Sequence, residues 1–270
     1  MTDEQKIVCC KNGLNLYAQE AYGDCQIVDT YTIVDQRLTK LETLLPLREC
    51  KTEVAVFYTT EKEVKVAPLR EMLKGYAERL FASKGVKVYF KEFFFVVKDT
   101  GVGEQPYDPN GIVGAVNRIQ YVQNLLNGKI EWSQKFAKPR LEDFHRIIFP
   151  SLESDIKKNG AMTAYDKPNI VFYEYITGKI LAGMGRGPGC QADLLKLAQE
   201  TKDITYGSVV QEKFSEWIYQ SINNSAEFSG SNWHWIVLGR DENWVLRDRA
   251  YFVNILCDHM MQRGLEQLLK

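Results

Sequence analysis

Asp99-Thr100-Gly101-Val102-Gly103-Glu104-Gln105-Pro106-Tyr107, continuing into Asn110-Gly111-Ile112-Val113-Gly114-Ala115-Val116-Asn117-Arg118, is the stretch that decides the fold. An apolar run leads into it. That run holds Val86, Val88, Phe90, Phe93, Phe94, Phe95, Val96 and Val97 with no Pro or Gly inside, and it reads as a buried strand. The chain then breaks at Thr100-Gly101 and turns through Pro106 and Pro109. From Ile112 a helical pattern begins, with Ile112, Ala115, Val116, Ile119, Val122 and Leu125 on one face. Acidic Asp99 thus stands at a strand's exit, ahead of glycines and a helix N-terminus. α/β proteins place ligands at such a junction, because exposed amides and the positive end of the helix dipole hold phosphate there.

Upstream, Glu53 to Tyr58 is a short apolar strand ended by Thr59-Thr60-Glu61-Lys62. The helix that follows has Val66, Leu69, Leu73, Tyr76, Ala77 and Leu80 on its inner face, and Gly85 closes it. Residues 53–97 therefore read β-α-β, the opening of an α/β domain. Residues 1–52 read as an N-terminal extension, with Ile33, Leu38, Leu41, Leu45 and Leu47 in partial helical register: a packing element, or a helix for a protein partner.

Downstream, residues 127–150 are charged and aromatic and read as a surface insertion, with Leu141, Phe144, Ile147 and Ile148 as a short helix or strand. Ser151-Leu152-Glu153-Ser154-Asp155-Ile156 reads from its composition as a solvated turn. Asn169 to Ile176 and Ile180 to Ala182 form a hairpin over Thr177-Gly178-Lys179. The run Gly183-Met184-Gly185-Arg186-Gly187-Pro188-Gly189 lacks Gly-Lys-Ser/Thr and follows a hairpin, so it is a loop of close backbone approach; Arg186 is a candidate phosphate contact. Residues 194–200 and 209–222 read as helices, 233–239 and 244–247 as strands, and 251–261 as a final helix.

The whole chain narrows the function classes. At 270 residues it can bury a full core, and a net charge of −1 gives no general attraction to nucleic acid or anionic membrane. No apolar run reaches the roughly 18 residues of a membrane span, and acidic Met1-Thr2-Asp3-Glu4 has no signal-peptide core, so the expected location is cytoplasmic. Cys9, Cys10, Cys25, Cys50, Cys190 and Cys257 contain no C-x-x-C pair, and His145, His234 and His259 show no metal-ligand spacing.

The stretch quoted first resembles the inosine/xanthosine triphosphatase group, the non-canonical purine NTP phosphatase family. Members carry an acidic residue, Ser-Gly-Val, two variable residues and Gln-Pro, then Glu-Thr, two residues, Gly-Ala, one residue and Asn-Arg. Gly101-Val102, Gln105-Pro106, Gly114-Ala115 and Asn117-Arg118 match with the spacing intact; Thr100 replaces Ser, and Asn110-Gly111 replaces Glu-Thr. The resemblance extends with insertions over residues 53–265. It implies a central mixed β-sheet with flanking helices, a cleft between two lobes, and a homodimer. It also implies magnesium-dependent hydrolysis of inosine or xanthosine triphosphate to the monophosphate and pyrophosphate.

Carried over position by position, the resemblance makes Asp99 and Glu153 the catalytic, magnesium-holding carboxylates. Thr59, Thr60 and a lysine, Lys62 or Lys65, cradle phosphates. Asn117 and Arg118 brace the loop–helix junction, and Arg247 and Tyr251 match the terminal strand and helix. Glu61 stands where the family has an uncharged Asn, a sign change that must be met by metal, by a nearby lysine or by weaker phosphate binding. Together with Asn110 and the rebuilt strand at 234–237, it leaves a second reading open. That reading is a catalytically degenerate binding module, as in the family's branch resembling eukaryotic proline-rich coiled-coil proteins.

Overall fold

The computed structural model describes residues 52–82, 87–97, 100–103, 106–108, 110–159, 163–185, 187, 189–190, 192–201, 206, 234–238, 244–248, 253–258 and 260. The expectations for residues 1–51, Asp99, Gln105, Arg186 and the helix at 209–222 lie outside the described residues.

β1 (Thr52–Tyr58), α1 (Glu63–Ala82) and β2 (Val88–Phe94) form the expected β-α-β unit, with β1 and β2 parallel and in register from Thr52↔Val88 to Tyr58↔Phe94. α2 (Asn110–Leu126) follows, then a single 3-10 turn at Leu141–Asp143. β3 (Arg146–Asn159) pairs parallel with β1 on one side and antiparallel with β4 (Thr163–Glu174) on the other. β5 (Lys179–Met184) completes the order β2-β1-β3-β4-β5, and the short β6 (Gly189–Cys190) pairs with β4. α3 (Ala192–Glu200) comes next, and β7 (His234–Leu238) and β8 (Trp244–Asp248) form a separate two-stranded sheet. The chain is thus α/β, with a mixed sheet and flanking helices. No helix among the described residues is long and apolar enough to cross a membrane.

Alternation along the strands builds two cores, one on each face of the sheet. Val54, Val56, Tyr58, Ile148, Leu152, Ile170 and Phe172 point to α1, where Val66, Leu69, Leu73 and Ala77 meet them together with Leu256 and Met260. Ala55, Phe57, Ile147, Phe149, Val171 and Tyr173 point to α2, where they meet Ile112, Ala115, Val116, Ile119, Val122 and Leu125. With both faces covered, the buried part of β1 is apolar at every position, from Val54 to Tyr58. β2 lies at the sheet's edge and is tied to α1 through Glu92, which accepts from the Tyr58 hydroxyl at 3.2 Å and from Arg70 Nε at 3.1 Å.

One sequence expectation changes here. Ser151–Ile156 is no turn: it lies inside β3, a central strand of the sheet. The stretch assigned to a surface insertion, 127–150, contributes its last residues, Arg146–Pro150, to the same strand. Nor does the rest of it float: Ile130, Trp132, Phe136, Leu141 and Phe144 pack on the α2-side core, with Trp132 and Phe136 set edge-on against Phe95.

Candidate functional site

β3 carries the site. Its odd-numbered side chains face α2, and they change character along the strand: Ile147 and Phe149 are core, then Ser151, Glu153 and Asp155 follow. The change comes where β1 stops. β1 accompanies β3 only over Arg146–Ile148, and beyond that the neighbour is the segment 106–108. There Tyr107 bridges to Ile156, the Asp108 N–H donates to the Ile156 carbonyl at 3.1 Å, and the Ile156 N–H donates to the Pro106 carbonyl at 3.0 Å. The stretch Ser151-Leu152-Glu153-Ser154-Asp155 of β3 lies between these two partners, at the carboxyl end of β1. Outside such strand ends is where open α/β sheets bind ligands.

Glu153 is held by two cations that come from opposite layers. Lys65, in the first turn of α1, places Nζ 3.1 Å from Oε1; Arg118, on α2, places Nε 2.7 Å and a terminal nitrogen 2.6 Å from Oε2. The Ser154 N–H also donates to Oε1, at 3.2 Å. Glu153 is only 8% exposed. Burial alone would raise its pKa, but the charges of Lys65 and Arg118 and their hydrogen bonds outweigh burial and bring it from 4.5 down to about 2. Glu153 is therefore ionised throughout the physiological range. Two cations against one carboxylate leave the group with a positive charge in excess.

Around this group the polar side chains are fixed. Buried Thr59, at the exit of β1, donates through its hydroxyl to Ser151 Oγ at 3.0 Å. The Thr60 hydroxyl accepts from the Lys62 N–H at 3.2 Å, shaping the start of α1. Asn117 Nδ2 donates to the Thr100 carbonyl at 2.6 Å and so ties the loop of Gly101 (φ +69°) and Gly103 (φ +80°) to α2. Asn117 thus occupies the bracing position, whereas Arg118 reaches into the charged group itself. Of the two lysines the sequence offered, Lys65 is buried at the group and Lys62 is exposed. Glu61 is exposed too.

A second charged group adjoins the first, built from residues the sequence reading missed. Asp155 is fully buried; its Oδ2 accepts the Gly111 N–H in the first turn of α2 at 2.8 Å and lies 3.4 Å from Lys167 Nζ. Lys167 also pairs with Asp108. The β3–β4 register makes this grouping, setting Glu153 opposite Asn169 and Asp155 opposite Lys167. Burial raises the Asp155 pKa from 3.8 to about 6 against the lowering effects of Lys167, the Gly111 N–H and Asn169. One signal of this approach was present in the sequence: Gly111 and Gly114 stand three apart on α2, facing β3. A Cβ at Gly114 would lie 2.8 Å from Val102 and 3.2 Å from Glu153.

Magnesium was expected on Asp99 and Glu153. Both Glu153 oxygens are engaged by Lys65 and Arg118, and among the described residues no three His, Cys, Asp or Glu side chains gather as a metal-holding group. Asp99, the other expected magnesium carboxylate, lies outside the described residues. Arg247 lies in β8 opposite Trp235, on the separate two-stranded sheet.

No family model matches the chain, and no curated protein matches it. Among solved structures, the crystal structure of protein VC0702 from Vibrio cholerae is similar at 13% identity and a TM-score of 0.43, over 79% of this chain and 96% of that one. A likeness at that level carries no weight for the function.

Proposed function

We propose that the carboxyl edge of β1 and β3 binds the phosphates of a purine nucleoside triphosphate, and that the chain hydrolyses inosine or xanthosine triphosphate to the monophosphate and pyrophosphate. One observation carries the reading: Lys65 and Arg118 converge on a single buried point at the strand ends, with positive charge in excess, beside the Thr59–Ser151 hydroxyl pair. A fixed pair of cations with neighbouring hydroxyls suits phosphoryl oxygens, and Arg is well matched to them through its forked donors. The positive end of the α1 dipole adds to the same field. Lys65 and Arg118 would bind and orient the phosphates; Thr59 and Ser151 would hold that edge in register.

A second reading keeps the binding and drops the reaction. Glu153, the carboxylate that hydrolysis would employ, is committed to Lys65 and Arg118. The two readings separate in one assay: pyrophosphate release from inosine, xanthosine, guanosine and adenosine triphosphates with magnesium, run beside equilibrium binding of the same nucleotides. Release from the inosine and xanthosine compounds supports the hydrolase. Binding without release supports the non-catalytic module, and neither binding nor release refutes both.

A further inference from the structure

We propose that Glu153 is a built-in occupant of the anion site, a displaceable counter-ion whose place a phosphoryl group takes when ligand binds. The inference rests on the triphosphate reading above and specifies how that site is kept closed and opened.

The geometry leads there in three steps. First, the carboxylate is bound as a ligand would be: each oxygen meets a cation, Oε1 on Lys65 at 3.1 Å and Oε2 on Arg118 at 2.6 and 2.7 Å. A phosphoryl group offers two oxygens at nearly the same bite, with more charge, so it can satisfy the same donors. Second, Glu153 reaches the cations by a flexible side chain from a rigid strand, and its remaining partner is the N–H of its own neighbour, Ser154. Letting go of the cations breaks no backbone pairing. Third, Lys65 stands on α1 and Arg118 on α2, the helices that cover opposite faces of the sheet. The carboxylate is therefore a staple between layers around the end of β1. An anion that displaces it must bridge the same two cations, which selects a ligand with several negative oxygens over a monoanion. Charge counts the same way: a carboxylate balances only one of the two cations, whereas a polyphosphate balances both.

The exchange makes the charge of Glu153 work against binding, and that is open to test. The probe is inorganic tripolyphosphate, titrated calorimetrically without divalent metal into wild type and Glu153→Gln, with thermal melts of both. Glutamine keeps the shape but removes the competing charge. Tripolyphosphate should bind the variant about ten-fold more tightly or better. The variant's melting temperature should be lower than wild type without ligand and should climb further on adding it. A folded variant that binds no more tightly than wild type overturns the proposal.

If Glu153→Gln does not fold, wild type decides alone. The Arg118 side-chain Nε–H nuclear magnetic resonance, assigned by its loss in Arg118→Lys, should move when tripolyphosphate is added. A resonance that stays fixed while tripolyphosphate binds overturns the exchange, as does the absence of binding at millimolar concentration. Magnesium–inosine triphosphate binding to wild type, measured in parallel, reports on the parent reading. If it persists while the exchange fails, only the counter-ion proposal is lost.

Discussion

Gly111→Ala probes the tightest packing at the site. A Cβ there would lie 2.3 Å from Asn169 Nδ2 and 2.7 Å from both Cγ and Oδ2 of Asp155. Those neighbours cannot swing away, since Asp155 is fully buried and accepts the Gly111 N–H at 2.8 Å, and Asn169 Nδ2 donates to the Lys167 carbonyl at 2.8 Å. Ordinary contact begins near 3.4 Å, so Asp155 must retreat and stretch its bond to the start of α2. Overpacking costs about 1–3 kcal/mol. Weakening a hydrogen bond to a charged acceptor adds about 1.5–3 kcal/mol. Alanine's better helix propensity returns up to about 1 kcal/mol. The net expectation is a loss of about 1.5–6 kcal/mol, or roughly 3–20 °C in Tm for a chain of this size. Thermal and urea unfolding followed by circular dichroism would measure it. Gly75→Ala is the control, because nothing lies within 4 Å of a Cβ at that position on α1. If Gly111→Ala is as stable as Gly75→Ala, the close approach of α2 to β3 is wrong.

The pH dependence of stability follows from two carboxylates that pull in opposite directions. Glu153, lowered from 4.5 to about 2, stabilises the fold above about pH 4.5 and loses that contribution as the pH falls toward 2; Asp155, raised from 3.8 to about 6, favours the fold below 3.8 and loses that contribution as the pH rises through 6. Urea midpoints should therefore rise on going from pH 7 to about pH 4.5, level off where the two effects oppose each other, and fall below about pH 3.8. Asp155→Asn should remove the upper slope and leave the acid limb, whereas an unchanged upper slope would contradict the assignment. Thr59→Val strips the Ser151 hydroxyl of its 3.0 Å partner in a buried setting and should cost about 1–2 kcal/mol in chemical unfolding. Asn117→Ala removes the 2.6 Å tether on Thr100; proteolysis at residues 100–105 should quicken, with global stability changed by about 1 kcal/mol, and an unaltered cleavage rate would show that the tether does not hold the loop.

The sequence revealed what periodicity encodes. β1, α1 and β2 stood out because a continuous apolar run and an i, i+3, i+4 pattern are local signals, and the α2 face from Ile112 to Leu125 is buried as read. The hairpin at Thr177-Gly178 was legible too, and Gly178 has φ +70°. β3 was not. Pro150 and the polar Ser-Glu-Ser-Asp composition speak for a turn, yet both positions lie within a strand paired throughout with β4, where tertiary context overrides propensity. The site divides in the same way. Thr59, Glu153 and a lysine, Lys62 or Lys65, were singled out through the resemblance, and the structure sets Lys65 against Glu153. Arg118's role and the Asp155–Lys167–Asp108 group were not, because they depend on the β3–β4 register and on the depth to which α2 settles on β3, neither of which is a local property.

The proposed phosphate-holding role of Lys65 and Arg118 is decided by calorimetric titration of inosine triphosphate, with magnesium and at low salt, into wild type, Lys65→Met and Arg118→Met, each checked for folding by circular dichroism. Saturable binding by wild type that falls about ten-fold or more in each variant is the predicted result. Equal binding by wild type and both folded variants, or no binding by wild type, would contradict the account.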